Sequence, residues 1–116
     1  MDVRKFIKSF GYAAEGLVTA MREQNIRFHY MCVVVVVAAG LLTGLSATEW
    51  VILVLTMALV IGAELFNTAI ERVVDLASPE IHPLAKQAKD IAAAAVLVFA
   101  VASVIIGMLI FLPKWL

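Results

Sequence analysis

Charge is scarce in this chain. Charged residues make up 16% of its 116 positions, and their signs cancel to a formal net charge of zero. That balance excludes the basic footprint of a nucleic-acid binder. Cysteine is nearly absent: Cys32 stands alone and forms no internal disulfide. It lies in an apolar run without a cationic neighbour, so it reads as a small hydrophobe rather than a catalytic thiol. The two histidines, His29 and His82, are isolated, and no H-E-x-x-H zinc motif occurs. The six glycines fit no G-x-x-x-x-G-K pattern, which excludes a phosphate-binding P-loop.

What the chain has in abundance is hydrocarbon. It is 64% apolar with a mean hydropathy of +1.03, far from a soluble domain's balance. Its length suits a single domain, 1–116. The first long apolar stretch begins near Phe28 and lacks a small-residue cleavage pattern. No cleavable leader is therefore expected, and the apolar stretches read as permanent membrane spans.

Residues 2–24 set Val3, Phe6, Ile7, Phe10, Ala14, Leu17, Val18 and Met21 at helical spacing against Arg4, Lys5, Lys8, Glu15, Arg22 and Glu23. This pattern predicts an amphipathic helix lying on the membrane surface. Spans are expected at 28–47, 50–77 and 84–112, each meeting the roughly 20 residues a bilayer requires. Gly40 and Gly44 form a small-xxx-small pair suited to helix packing. Thr48 is the expected N-cap of the second span. Ser78-Pro79 ends that span, and Pro113-Lys114-Trp115 closes the third. The fold class is thus an all-α integral membrane protein with one surface helix and three transmembrane helices.

Loop charge sets the orientation. Arg4, Lys5, Lys8, Arg22 and Arg27 precede the first span, and Arg72, Lys86 and Lys89 flank the second polar region. The loop between the first two spans has no Lys or Arg, and the C-terminal tail has only Lys114. The positive-inside rule then puts the N-terminus and the 72–90 region in the cytoplasm and the C-terminus outside.

The second span carries the chemistry. Val51 to Ala63 contains no charge, and then Glu64, Asn67, Thr68, Glu71 and Asp75 follow on one helical face. Glu64 and Glu71 are two turns apart, about 10 Å along the axis at about 1.5 Å per residue. Ionisable groups beside hydrocarbon are costly and suggest function. One carboxylate can take a proton while the other holds a hard cation such as Mg²⁺, which prefers carboxylates and phosphate oxygens. Lys86-Gln87-Ala88-Lys89-Asp90 adds lysines suited to phosphates. Its bland reading is a solvated helix start with an i, i+4 Lys–Asp pair. The alanines at 85, 88 and 92–95 suit close helix approach. A passive ion or proton pathway would need polar groups across the whole span, and Val51 to Ala63 offers only Thr56.

The run from Glu64 through Asp75, followed by Ala88-Lys89-Asp90 and the alanines, resembles the signature of the small bacterial membrane lipid kinases, the diacylglycerol kinase and undecaprenol kinase family. The resemblance covers most of the chain. His82-Pro83-Leu84-Ala85-Lys86 and Ile110-Phe111-Leu112-Pro113-Lys114 look like the undecaprenol kinase branch, typical of Gram-positive bacteria. It implies ATP-dependent phosphorylation of a membrane lipid alcohol in a bacterial plasma membrane, with undecaprenol ahead of diacylglycerol. By resemblance Glu64 is the catalytic base, with Asn67 supporting it, and Asp75 matches a further acidic position of the signature. Glu23 and Glu71 match ligands of the nucleotide's Mg²⁺, with Glu15 as the alternative to Glu23. Lys5, Tyr12, Glu80, His82, Lys89 and Asp90 match nucleotide contacts, Lys5 standing where an arginine sits in the family. The resemblance also implies a homotrimer, which suits a protomer that encloses little volume.

Overall fold

A computed structural model describes all 116 residues as four helices and no strand: α1 (Val3–Ala20), α2 (Gln24–Thr43), α3 (Ala47–Ala77) and α4 (Pro83–Trp115). The last three are each long and apolar enough to cross a membrane, which makes this a multi-pass membrane protein. Of the 95 backbone hydrogen bonds, 85 lie within the helices, the condition for surviving where no water can pair an exposed peptide group. At 31 residues, α3 is about 46 Å long at about 1.5 Å per residue. That exceeds the roughly 30 Å of a bilayer's hydrocarbon, so part of α3 stands clear of it.

The α3–α4 contact is the most extensive in the molecule, with α2 packed on α3 and α1 touching α3 only lightly. The inner stripe of α3 is Leu53, Thr56, Val60, Glu64, Asn67 and Thr68. Steps of three and four lead from Leu53 to Glu64, and Asn67 and Thr68 lie three and four beyond Glu64, so all six share one helical face. Thr56 neutralises its own hydroxyl by donating to the Ile52 carbonyl at 2.7 Å. At the end away from Glu64, Leu53 packs with Ile110 and Phe111, flanked by Val36, Ala39, Leu45, Trp50, Met57 and Ile106. Only 12 of 116 residues are buried, and most large apolar side chains face outward. A single protomer therefore relies on lipid or further protein to cover it.

Local chemistry fixes the helix ends, and four of them differ from the sequence expectation. The first helix stops at Ala20 instead of running to Glu23, which becomes the N-cap residue of α2. The Arg27 guanidinium donates to the carbonyls of Met21 (2.8 Å) and Arg22 (3.2 Å), and Tyr30 donates to that of Leu17 (3.2 Å). These bonds serve carbonyls that a helix end leaves unpaired. The N-cap of α3 is Ser46, not Thr48: Ser46 Oγ accepts from the Glu49 N–H at 3.2 Å while Glu49 Oε1 accepts from the Ser46 N–H at 2.9 Å. This reciprocal capping box engages two donors at once, which a lone threonine cannot do. Gly44 is not part of a packing face. It ends α2 at φ +79°, a left-handed conformation that glycine adopts without strain. At the far end α4 does not close at Leu112 as expected but continues through Pro113 to Trp115, where Lys114 pairs with Glu49 and Trp115 bonds Thr43.

Gly40 does serve close approach. A Cβ built there would lie 2.6 Å from Trp50 Cη2 and 3.1 Å from Leu45 Cδ1. Gly40→Ala should therefore push Trp50 off the α2–α3 turn and cost about 1–3 kcal/mol by overpacking. Thermal unfolding in detergent reads the effect as a lowered midpoint, and an unchanged midpoint would mean the indole moves freely.

Candidate active site

Burial falls away along the polar face of α3. Glu64, Asn67 and Thr68 are buried, Glu71 is half-buried and Asp75 is exposed. Glu64 is 2% exposed, the least accessible charged group in the chain. Its nearest polar neighbour on another helix is His29 of α2, whose Nε2 lies 3.6 Å from Glu64 Oε2. One turn further along α3, Asn67 Nδ2 donates to Glu71 Oε1 at 3.3 Å, while Asn67 Oδ1 is buried without a partner. An unpaired buried carbonyl is an acceptor in search of a donor or a cation.

The start of α2 and the start of α4 close on the same end of α3. Glu23 Oε1 lies 3.5 Å from Arg72 Nη2, which joins the α1–α2 elbow to the residue after Glu71. Lys89 of α4 pairs with Asp75 of α3. Lys86 and Asp90 form the i, i+4 pair of a helix start, as the bland reading has it. His82 is the N-cap of α4, its Nδ1 accepting from the Leu84 N–H at 3.1 Å. Glu80 sits exposed in the connector, where Ser78 Oγ donates to its carbonyl at 3.0 Å.

Two hollows border the α3 face. An open cleft of about 640 Å³ between α1 and α3 is lined by Tyr12, Glu15, Thr19, Leu65, Thr68 and Arg72 among others. An apolar cavity of about 390 Å³ lies between α2, α3 and α4. Hydrophobic residues form 11 of its 15 walls, and His29, Thr56 and Ser103 are its polar members.

The structure thus gathers Glu64, Asn67 and Glu71 on one face, with Glu23 reaching it through Arg72 and Lys89 through Asp75. Tyr12 faces the same helix across the cleft, together with Glu15. No hydrogen bond or ion pair joins Lys5, Glu80, His82 or Asp90 to that face. Sequence reasoning missed His29, which it set aside as an isolated histidine. The available signal was an ionisable group inside an expected apolar span. Arg72 was also undervalued, since its role depends on a chain reversal that the sequence does not display.

No group of three His, Cys, Asp or Glu side chains converges as a protein-made metal cage. A nucleotide-borne Mg²⁺ needs less, because it takes one or two carboxylates and draws its other ligands from phosphate and water. The hard oxygens of Glu71 and Glu23, with the unpaired Asn67 carbonyl nearby, fit that demand.

A buried carboxylate with polar partners where an apolar helical stripe ends marks a candidate functional site in a multi-pass helical protein. The family model for prokaryotic diacylglycerol kinase matches residues 11–111. The chain belongs to this family of membrane lipid kinases. It is 50% identical over 114 residues to the undecaprenol kinase of Bacillus subtilis, covering 97% of this chain and 93% of the relative. It is 46% identical over 110 residues to a diacylglycerol kinase of Synechocystis, covering 93% and 63%. Against the diacylglycerol kinase of Escherichia coli K12 it is 35% identical over 102 residues, covering 87% and 84%.

The Asn67–Glu71 bond ties down the half-buried carboxylate. Asn67→Ala should lower stability by only about 1 kcal/mol, because losing the bond is partly offset by removing the unpaired carbonyl. Unfolding midpoints of the two proteins in one detergent check this; a loss of several kcal/mol would mean Asn67 has further partners.

Proposed function

We propose that this lipid kinase transfers the γ-phosphoryl group of ATP to the hydroxyl of a membrane lipid alcohol, and that undecaprenol is preferred over diacylglycerol. The observation that carries the reading is Glu64: a nearly inaccessible carboxylate at the end of an apolar helical stripe, one turn from a bonded Asn67–Glu71 pair. A lipid alcohol presents its hydroxyl at the level where hydrocarbon gives way to polar groups. A base fixed there accepts the proton as the hydroxyl oxygen bonds to phosphorus. Asn67 supports the site by holding Glu71 in place. Glu71 and Glu23, or Glu15 in place of Glu23, would hold the nucleotide's Mg²⁺, which when bound neutralises the phosphate charge. Lys89 offers the phosphates a point charge, with Asp75 orienting it. Lys5, Tyr12, Glu80, His82 and Asp90 are assigned to nucleotide contact on the family resemblance. The preference for undecaprenol rests on the 50% identity to an undecaprenol kinase across nearly the full length of both chains.

In this reading 1–116 form one kinase domain. The exposed apolar side chains of α1, among them Phe6, Phe10 and Leu17, rest on the membrane surface. The basic residues at 4–27 and 72–89 lie on the cytoplasmic side of a bacterial plasma membrane, with Lys114 outside. By the family resemblance the protein works as a homotrimer, which would cover part of the apolar surface that each protomer leaves exposed.

Glu64→Gln keeps the size of the side chain and removes the base. It should lower phosphoryl transfer by at least about 10²-fold, the usual contribution of a positioned base, while ATP binding survives. Wild-type turnover in that variant would take Glu64 out of the mechanism.

The apolar walls read a long chain poorly, one methylene in such a wall being worth about 1–3 kcal/mol. Cross-reaction between lipid alcohols is therefore expected. With both lipids in the same mixed micelles, kcat/KM should be higher for undecaprenol than for diacylglycerol. The opposite ranking would make this chain a diacylglycerol kinase with its fold and base unchanged.

A further inference from the structure

The catalytic reading uses Glu64 to take a proton but leaves that proton without an exit. The Glu64 side chain is 3% exposed. It has no hydrogen bond to backbone or to another helix side chain, and its polar contact is His29 Nε2 at 3.6 Å. The His29 side chain is 15% exposed, so it touches the hidden carboxylate and also reaches the protomer's surface. It also lines the apolar cavity between α2, α3 and α4, which Glu64 does not. His29 is held to this position from the chain's own side. It lies two residues after Arg27 and one before Tyr30, both of which are bonded to carbonyls of the α1 end. The first turn of α2 is further fixed by Ile26, which is fully buried.

We propose that His29 is a positioning residue that relays the proton away from Glu64 after each turnover, an inference that rests on Glu64 being the base. In the chemical step the lipid O–H bond breaks and its proton passes to the Glu64 carboxylate. The lipid oxygen bonds to the γ-phosphorus as the bond from that phosphorus to the β,γ-bridging oxygen breaks, and the electron pair leaves on ADP. Glu64 is then a neutral acid in a site that water scarcely enters. The proton passes from Glu64 Oε2 to the lone pair of His29 Nε2, and the imidazolium releases a proton to water. Glu64 is thereby restored as a carboxylate. Imidazole suits this task because it takes up and gives back protons near neutral pH. At 3.6 Å the two groups are not yet hydrogen-bonded, and the relay requires the contact to shorten when substrate fills the site, as catalytic contacts that are long in the free enzyme often do.

The relay acts after phosphoryl transfer, which separates it from a merely structural role. His29→Gln cannot carry the proton. With undecaprenol in mixed micelles and saturating Mg-ATP, the first turnover of this variant, measured by rapid quench, should keep the wild-type rate. Steady-state kcat should fall by about 10-fold or more, with the KM values for both substrates nearly unchanged. In His29→Ala, added imidazole should restore much of the lost kcat. Mg-ATP binding to both variants reports that the site is folded. A wild-type steady-state kcat in His29→Gln would overturn the relay. So would a first turnover slowed as much as kcat, or a loss in His29→Ala that imidazole leaves untouched. Activity in Glu64→Gln would instead overturn the base itself, whereas an inactive Glu64→Gln beside a fully active His29→Gln removes only the relay.

Discussion

Hydrocarbon gives no hydrophobic drive for one apolar helix to prefer another over lipid. Helices in this setting must be held by close packing and by polar contacts. In this chain the long-range polar contacts fall at the two ends of the bundle. At one end Glu23 meets Arg72, His29 meets Glu64, and Asp75 meets Lys89. At the other, Lys114 meets Glu49 at 3.1 Å and Trp115 Nε1 donates to Thr43 Oγ1 at 2.9 Å. Between them lie apolar side chains, with Thr56 and Ser103 each donating to a carbonyl of its own helix. The ends therefore fix the register, and the middle supplies contact area without much direction.

The two ends differ in what their polar groups do. The Glu49 end is already complete: its carboxylate closes a capping box and also meets a lysine. Those groups are occupied by the fold. At the Glu64 end one buried carboxylate has only a distant imidazole, and one buried amide carbonyl has no partner. Polar groups left short of partners in a low-dielectric place carry a standing cost. On the proposed function a substrate hydroxyl and a nucleotide with its cation would relieve that cost, and the same deficit that weakens the fold would favour binding.

Much of this was legible in the sequence. The polar face of α3 follows from spacing alone, because residues 64, 67, 68, 71 and 75 share a face in any α-helix. The observed burial of Glu64, Asn67 and Thr68 agrees with that face turning inward. Span existence followed equally from hydropathy. Helix ends were less legible: Thr48 looked a fit cap until Ser46 and Glu49 proved to cap each other, a reciprocal arrangement three residues apart. Gly44 looked like a packing residue because G-x-x-x-G describes spacing and is silent on whether the second glycine is still helical. The elbow at residues 21–23 depends on Arg27 folding back, which no local propensity announces.

His29 marks where sequence reasoning stops for a physical reason. Its partner is 35 positions away on another helix, and the two meet only because α2 packs against α3. Neither periodicity nor composition specifies which faces of two apolar helices meet, since most faces of α2 are alike in hydropathy. The polar residues break that degeneracy. An ionisable side chain in the second turn of α2 is costly against lipid and much less so against Glu64. Rotating α2 to bring His29 inward also turns Cys32, Val33 and Val36 toward the cavity. A functional group that would be expensive anywhere else thereby selects the orientation of the helix that carries it. In a bundle held mainly from its ends, the requirements of the site and those of the fold are met by the same few contacts.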